Sequence, residues 1–600
     1  MTQVTEPFPI FHDDDGTPLE NGMIYVGEAN QDPRTNPVAV FFDEALTVPA
    51  SQPIRTLGGR PAYQGAPTNL YISEAAYSIT VQNRHGSPIV DAADVQSDFV
   101  TLNALAASGG SGLVGFIQAG TGAVARTAQA KMRETVSVTD FGAVGNGGGD
   151  LGVALQAAHD ALGPDGGAIY IPAAASHYRQ TTTAAFTKPV MLYGDGWYNS
   201  QLLTETSGLV FITSTKWLGV SNLHFIALSA AAETAVFIKH LAASSDHGGS
   251  FLEHCFFQGG DRQYWSERTN ALYVYGCNFG ANGEAGLYLE NQTNPDEGDS
   301  FIESCTFSGD NTETTSILVK STSGINIVNC KFNTCLQHIN IDTGAGVVGN
   351  YLISNNSFEG QVNYGVKIAG NGSGTITKTI ITGNQFSATS TDHIIVGADA
   401  ENTVITGNTF NHTNAAAGRG VKVETGATNV TITGNQFHQI LTAVQSTATT
   451  MPGVRMEANS FSKDVTNIFL GVAELVPSNS NAVSNYDHID VSVGAFCETS
   501  SDTVADDVFE IDGRGIIEAE YDYIVQGVGF GHAYTRFAMS NGAKTDLDAL
   551  TRTGANADAV VTLSSGAYLI GGKRATGVGT SVTGTLNLRA QGGLWTVKRV

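Results

Sequence analysis

The sequence predicts an all-β protein built around a right-handed parallel β-helix, and three observations indicate this fold. A short strand motif that ends in phenylalanine recurs ten times, at spacings of 22 to 32 residues. Repeats of this length are typical of stacked units that each bury a face against the next. The composition, with 70 glycines and only 14% charged residues, favours turns and strands over helices. A second alternating strand lies between successive motifs, as in Leu287–Glu290.

The repeat follows the pattern I/V-x-I/V-x-x-C/N-x-F and supplies a register for the coils. Its phenylalanines are Phe225, Phe257, Phe279, Phe307, Phe332, Phe358, Phe386, Phe410, Phe437 and Phe461. Two positions before the last nine lie Cys255, Cys277, Cys305, Cys330, Asn356, Asn384, Asn408, Asn435 and Asn459. We expect the cysteines to act as stacked small apolar side chains, and the asparagines to form a ladder of amide hydrogen bonds along the axis.

Changes in composition divide the chain into four predicted segments. Residues 1–105 form a small β domain, with short strands such as Met23–Val26 and Tyr77–Val81 between Pro, Gly and Asn turns. Residues 106–135 form a linker with a short helix, and residues 136–475 form the β-helix, which begins near an apolar-periodic helix at Leu151–Leu162. Residues 476–600 form a C-terminal β-sandwich that caps the open end of the coils.

Charge and motif content exclude several classes of function. The formal net charge of −26 argues against binding to nucleic acid or to anionic lipid. No signal peptide and no apolar run of transmembrane length are visible, so we expect synthesis in the cytoplasm of a host and no membrane insertion. Because CxxC, HxH and HExxH motifs are absent, we predict neither a metal site nor another cofactor.

Several segments resemble parts of phage tailspikes. Asp140–Gly145 (DFGAVG), then a helix, then Gly166–Pro172 (GGAIYIP) resembles the beginning of the pectate-lyase-like β-helix of tailspikes and related polysaccharide-degrading enzymes. Asn21–Gly27 and Tyr77–Pro88 resemble the head-binding domain of short-tailed Salmonella phage tailspikes, and Gly112–Val138 resembles the connector that follows it.

This resemblance implies a homotrimeric virion protein that acts at the surface of the host cell. Its N-terminal domain would attach to the phage tail, the baseplate or another tailspike. Its β-helix would bind bacterial surface polysaccharide, either capsule or O-antigen, and cleave it. A trimerising or carbohydrate-binding role of the C-terminal segment also follows only from the resemblance.

The first candidate catalytic pair is Glu290 and Asp342. Glycoside hydrolysis needs two carboxyl groups, and the strand pattern places Glu290, Lys320 and Asp342 on neighbouring rungs of one outer face. Two strand spacings of about 4.8 Å separate the acids by about 9.6 Å at the backbone. Their side chains would bring the carboxyl groups closer together, to a separation that is typical of inverting glycosidases. Lys320 would tune their pKa values, and Tyr288 on the same face would contact substrate. The alternative is that these carboxylates only solubilise the sheet.

A second candidate cluster surrounds one of the four tryptophans, in a predicted long excursion between strands. Its acids are Asp261, Glu267 and Glu284, and its substrate-binding candidates are Arg262, Tyr264 and Trp265. Aromatic faces stack on sugars, and arginine and carboxylates hydrogen-bond hydroxyl groups. Packing of Trp265 over an irregular coil, or in a trimer interface, is the alternative. The acidic loop Asn291–Ser300 would wall the groove, hold Ca²⁺ or form a solvated turn.

Three functions follow from these patterns. The leading prediction is an endoglycosidase that depolymerises surface polysaccharide with paired carboxylates. A polysaccharide lyase on the same fold, with a Lys or Tyr base, is the first alternative. The second is a receptor-binding or structural virion protein without enzymatic activity.

Overall fold

The computed structural model describes most of the chain, which forms two compact units, Met1–Met132 and Arg133–Val600. The described residues are 10–74, 76–96, 102–227, 234–241, 248–291, 298–309, 315–344, 346–370, 372, 374–388, 392–412, 418–447, 454–462, 465 and 467–473. Between 488 and 599 the backbone alone is described, over 488–498, 506–513, 515–525, 529–540, 543–554, 563–564, 567–572, 582–591 and 593–599.

The first unit contains a six-stranded antiparallel sheet, which confirms the strands predicted at Met23–Val26 and Tyr77–Val81. In spatial order its strands are Ala66–Pro67, Arg60–Tyr63, Ile54–Leu57, Met23–Glu28, Ala76–Gln82 and Pro88–Gln96. Alternate residues such as Ile24, Val26 and Val81 face a small core. Val40–Phe41 pairs with Pro49–Ala50, and Gly115–Phe116 pairs with Arg126–Thr127. The short helices are Leu102–Ala106, Gly110–Leu113 (3₁₀) and Ala128–Met132.

The second unit is a parallel β-helix, as predicted, in which each coil contributes one strand to each of three sheets. The first sheet comprises Val136–Ser137, Gly167–Ile171, Val190–Gly194, Leu218–Ser221, Phe251–Glu253, Tyr273–Tyr275, Ser300–Glu303, Ile325–Val328, Gly346–Ser354, Gly374–Thr382, Ala400–Thr406, Thr428–Thr433 and Val454–Phe461. The second comprises Tyr178–Arg179, Gln201–Leu203, His224–Ala227, Phe256–Gly259, Asn278–Gly280, Thr306–Ser308, Lys331–Asn333, Ser357–Glu359, Gln385–Ala388, Thr409–His412 and Gln436–His438. The third comprises Ala184–Phe186, Val210–Ser214, Val236–His240, Arg262–Ser266, Ala285–Glu290, Thr315–Lys320, Gln337–Thr343, Tyr364–Gly370, Asp392–Val396, Arg419–Val423, Thr442–Ser446 and Asn467–Ala473.

A helix at Leu151–Ala161 covers the first coil, after a 3₁₀ turn at Val138–Phe141. The Asp150 carboxylate caps the helix by accepting a hydrogen bond from the backbone N–H of Gly152. The apolar face of the helix, including Leu151, Leu155 and Ala158, joins the β-helix core. This helix therefore shields the first coil, which would otherwise expose its interior.

The ten repeat phenylalanines form one continuous stack inside the coils. Successive ring centroids lie 4.5 to 5.3 Å apart, with planes inclined by 4° to 15°. Strand pairing places each ring directly opposite the next, as between Phe225 and Phe257. The register predicted from the repeat is therefore confirmed from Phe225 to Phe461.

Beside the phenylalanine stack runs the predicted column of cysteines and asparagines. Each asparagine Oδ1 accepts the backbone N–H of the residue at the same position in the preceding coil, at 2.8 to 3.0 Å. Each asparagine Nδ2 from Asn356 to Asn435 also donates to the next Oδ1. Cys255, Cys277, Cys305 and Cys330 are buried and carry free thiols. The amide ladder is therefore confirmed.

Beyond residue 487 the described backbone forms long, mostly antiparallel strands that continue two of the sheets. The predicted runs at 508–511, 516–521 and 585–588 lie within strands Asp506–Gly513, Gly515–Val525 and Val582–Gln591. The remaining strands are His488–Glu498, Gly529–Ser540, Ala543–Gly554, Leu563–Ser564, Ala567–Gly572 and Gly593–Arg599. The sandwich and its capping role remain predictions.

Two histidines are sealed inside the coils, next to the phenylalanine stack. His338 packs against Phe332 and Phe358, and His393 lies between Phe386 and Phe410. Burial lowers the pKa of His338 to about 3, and burial with the nearby His412 lowers the pKa of His393 to about 3. Both rings are therefore neutral wherever the coils are folded at ordinary pH.

Replacing Asn408 with alanine tests the amide ladder. The substitution removes the Oδ1 that accepts both the N–H and the Nδ2 of Asn384, each at 2.9 Å. Two buried donors lose their partner, so the free energy of unfolding in urea should fall by about 3 kcal/mol. Asn411→Ala, at an exposed position of the strand Thr409–His412 that follows Asn408, should change it by less than about 0.5 kcal/mol. Equal effects of the two substitutions would contradict the ladder's importance.

The buried histidines predict a stability that falls with acidification. An unfolded histidine, with a pKa of about 6.5, binds a proton below that pH, whereas the folded His338 does not. Its contribution is present above pH 6.5 and declines toward pH 3, by about 2 kcal/mol at pH 5. In His338→Gln, the difference in unfolding free energy between pH 7 and pH 5 should shrink by that amount. His254→Gln, whose side chain is 53% exposed, is the control and should retain the full difference.

Candidate active site

The outer face of the third sheet brings the predicted acids and aromatic residues together. Strand pairing aligns Glu290 with Lys320 and Lys320 with Asp342, so the predicted register of these three residues is confirmed. Two residues before Glu290 on the same strand, Tyr288 lies opposite Trp265 of the adjacent strand. Apart from Tyr264, which points into the coil, the candidates from the two predicted clusters therefore share one surface and do not form separate sites.

An aromatic patch lies at the centre of this surface. The Trp265 and Tyr288 rings meet nearly edge to face, with centroids 5.8 Å apart and planes at 65°. Tyr288 is 5% exposed and packs with Ala285 and Leu318 in a small cluster outside the main core. The patch therefore forms an apolar floor on this sheet face.

Two cations lie over the aromatic patch, and each has a carboxylate partner. The Arg262 guanidinium lies 4.1 Å from the Trp265 ring centroid and 4.2 Å from that of Tyr288, and Arg262 Nε donates to Glu284 Oε2 at 2.5 Å. Lys239 Nζ lies 3.6 Å from the Trp265 centroid and pairs with Glu267 Oε1 at 2.7 Å. Cation–π contacts thus fix Trp265, and the two cations hold Glu267 and Glu284 near it.

Glu290 and Lys320 form the neighbouring part of the site. Trp265 Nε1 donates to Glu290 Oε1 at 3.0 Å, which orients this carboxylate. Lys320 Nζ lies 5.1 Å from the Tyr288 ring centroid. Burial lowers the pKa of Lys320, but the hydrogen bond with Tyr288 and the charges of Glu284 and Asp342 outweigh burial and raise it. Lys320 is therefore a firmly charged ammonium at neutral pH.

Asp261 differs from the other acids of the site in its electrostatic environment. Burial and the nearby charge of Glu284 raise the pKa of Asp261, and Arg262 opposes them only in part. Glu284 pairs with Arg262, and its backbone N–H donates to the Asp261 carbonyl at 2.8 Å. A carboxyl group with a raised pKa thus lies next to a carboxyl group that is paired with a guanidinium, an arrangement suited to acid–base chemistry.

The structure corrects two predictions about the second cluster. Arg262–Ser266 is a regular strand of the third sheet, whereas the sequence suggested an excursion between strands. Tyr264 points into the coil, is 1% exposed and shares a hydrogen bond of 3.0 Å with His240 Nδ1, so it does not contact a ligand on the surface. The aliphatic period was obscured because Gln263 also faces inward, where its Nε2 donates to backbone carbonyls.

Sequence reasoning missed Lys239 and a second ion pair farther along the same face. Lys239 aligns with Trp265 from the preceding strand, and the alternation in Val236–His240 was the available signal. Arg419 pairs with Asp392 across two adjacent strands, and its Nη1 donates to Gln445 at 2.7 Å. Of the acidic loop Asn291–Ser300, residues 292–297 lie outside the described residues.

In the described part of the chain, three or more His, Cys, Asp or Glu side chains nowhere gather as metal ligands. Likewise, none of the described helices has the length and apolar character needed to cross a bilayer.

Comparison with known proteins relates the chain to phage tailspikes. The family described as right handed beta helix region matches residues 296–461. A tail spike protein of Shigella phage Sf6 is 34% identical over 177 residues, which cover 26% of this chain and 28% of that protein. The match thus spans less than a third of the relative's length. These similarities confirm the predicted resemblance to a phage tailspike with a parallel β-helix.

Among solved structures, similar folds include another tailspike and an epimerase. A tailspike protein mutant of E. coli bacteriophage HK620 in complex with pentasaccharide has 15% identity and a TM-score of 0.48, over 81% of this chain and 99% of that one. The A-module of a mannuronan C-5 epimerase from Azotobacter vinelandii has 15% identity and a TM-score of 0.43, over 54% and 93%.

Proposed function

We propose that this protein is a phage tailspike that binds surface polysaccharide of a bacterial host and depolymerises it by glycoside hydrolysis. The supporting observation is the pair of carboxyl groups Asp261 and Glu284 beside the aromatic patch on the third sheet. The homology to a tail spike protein supports the biological setting. The proposal includes attachment to the virion through the N-terminal unit and assembly as a homotrimer.

Asp261 is the general acid of the proposed reaction. Its raised pKa favours the protonated carboxyl that must give a proton to the oxygen of the leaving sugar. Glu284, which is paired with Arg262, then either removes a proton from the attacking water or bonds directly to the anomeric carbon. In either case the glycosidic C–O bond breaks, and water supplies the new hydroxyl group at the anomeric carbon.

The remaining side chains of the face bind and orient the glycan. Trp265 and Tyr288 provide the apolar floor, and Glu290 is positioned by the Trp265 indole to accept hydrogen bonds from sugar hydroxyl groups. Glu290 and Asp342 form the competing catalytic pair, since they flank Lys320 in register on the same surface. Substitution of each acid separates the two pairs.

A lyase reaction is the second candidate, and the contact between Lys320 and Tyr288 favours it. β-Elimination at a uronate needs a base beside a cation that holds the substrate carboxylate, and Tyr288 and Lys320 lie in contact on this face. Elimination gives an unsaturated uronate that absorbs ultraviolet light, whereas hydrolysis gives products without that chromophore. Product spectra therefore assign the reaction class.

The test is incubation with capsule and O-antigen polysaccharides from a host panel, followed by measurement of new reducing ends and mass spectrometry of fragments. Asp261→Asn and Glu284→Gln should each lower the rate by about 10²-fold or more, since a general acid or base contributes about 10²–10⁴-fold. Glu303→Gln, an exposed acid on the first sheet, is the control and should retain the wild-type rate.

Other outcomes distinguish the alternatives. Loss of cleavage in Glu290→Gln and Asp342→Asn, with Asp261→Asn fully active, would move the catalysis to the competing pair. Binding without release of fragments from any polysaccharide of the panel would identify a receptor-binding protein and overturn the enzymatic proposal.

A further inference from the structure

The third sheet carries more positive charge than the rest of the chain leads one to expect. The whole protein has 30 Lys and Arg against 56 Asp and Glu. Six of these cations lie on or at the edge of the outer face of this one sheet: Lys239, Arg262, Lys320, Lys367, Arg419 and Lys422. Local concentration of cations on a strongly acidic protein suggests a functional role, because a solvated acidic surface does not need them.

Four of the six cations are neutralised by ion pairs with carboxylates. Lys239 pairs with Glu267, Arg262 with Glu284, Arg419 with Asp392 and Lys422 with Glu424. Across the described residues, the ammonium groups of Lys320 and Lys367 have no carboxylate oxygen within ion-pair distance. Each of these lysines lies beside a tyrosine: Lys320 contacts Tyr288, and Lys367 Nζ lies 5.9 Å from the Tyr364 ring centroid. These two charges are thus available to an external anion.

The register places these two lysines on opposite sides of one strand. Lys320 aligns with Asp342, and Lys367 aligns with Asn340, both of which belong to Gln337–Thr343. Their Cα atoms are two strands apart, about 9.6 Å along the axis, and each lysine has a long flexible side chain. A carboxylate placed over Asn340 is within reach of both ammonium groups and of the Asn340 amide donor.

We infer that Lys320 and Lys367 form a carboxylate-binding subsite, so that the polysaccharide bound by this face carries acidic sugars. This inference rests on the proposed function, because it specifies the class of substrate for the same surface. Tyr364, 8% exposed beneath Lys367, supplies an apolar shelf for the ring that bears the carboxylate. Asp342 lies beside Lys320, and its negative charge repels a ligand carboxylate from that end of the strand. The ligand carboxylate is therefore expected over Asn340.

The test measures binding separately from cleavage. Affinity electrophoresis measures the binding of each polysaccharide of the host panel, which includes uronate-containing and neutral members. The protein is used as the Asp261→Asn variant and, in the cold, as the wild type. The preferred polymer should carry carboxyl groups, and its affinity should fall as salt is added. Lys320→Gln and Lys367→Gln should each weaken binding about five-fold, and the double variant about 20-fold. Lys331→Gln, an exposed lysine on the second sheet, is the control and should bind like the wild type.

Chemical modification of the polymer identifies the source of the carboxylate. Carbodiimide activation followed by borohydride reduction converts carboxyl groups to alcohols, and it should reproduce the loss of the double variant. Mild acid removes ketal-linked pyruvate and ketosidically linked acidic sugars such as sialic acid but leaves uronates in the polymer, so a loss of affinity after that treatment assigns the carboxylate to one of these acid-labile groups and not to a uronate.

Two results would overturn the inference while leaving the proposed hydrolase intact. In the first, the protein prefers and cleaves a neutral polymer. In the second, its affinity for the preferred polymer does not change after the carboxyl groups are reduced. Conversely, carboxylate-dependent binding without any cleavage would support the subsite and reject the enzymatic proposal.

Discussion

The structure depends on the exact repetition of one position in each coil. A phenylalanine stacks on the phenylalanine of the next coil within 5.3 Å, and the adjacent column of asparagines is hydrogen-bonded coil to coil. A slip of one residue would turn every inward side chain outward, because side chains alternate along a strand. The stack and the ladder therefore determine which residues of the third sheet reach the surface, and in which order.

This constraint explains why much of the fold was predictable from the sequence. The repeated phenylalanine and the column that changes from cysteine to asparagine each occupy one position per coil. They can therefore be recognised in the sequence even though the loops between them vary in length. The alignment of Glu290, Lys320 and Asp342 follows from the same register. By contrast, Arg262–Ser266 departs from the period because Gln263 and Tyr264 both face inward, where Gln263 Nε2 donates to backbone carbonyls and Tyr264 shares a hydrogen bond with His240. The sequence does not reveal whether a polar residue in a strand will find backbone carbonyls to bond with in the interior.

The chemistry of the site was less predictable than its location. Candidate acids can be read from the sequence, but their environments depend on which cations reach them. Lys239 comes from a different coil, lies over the Trp265 ring and forms an ion pair with Glu267. This ion pair makes Glu267 a weaker candidate for catalysis. The raised pKa of Asp261 likewise arises from burial and from Glu284, a residue of the following coil. Such contacts join residues more than twenty positions apart, and only the folded register defines them.

The asparagine column also gives the β-helix a direction. Every side-chain carbonyl from Asn356 to Asn459 accepts hydrogen bonds from the coil before it, so all of these carbonyls point toward the N-terminal end. Aligned hydrogen-bonded amides polarise one another, and their dipoles add. The later coils therefore contain a buried row of aligned dipoles, whose negative end lies at Cys330, the last cysteine of the column.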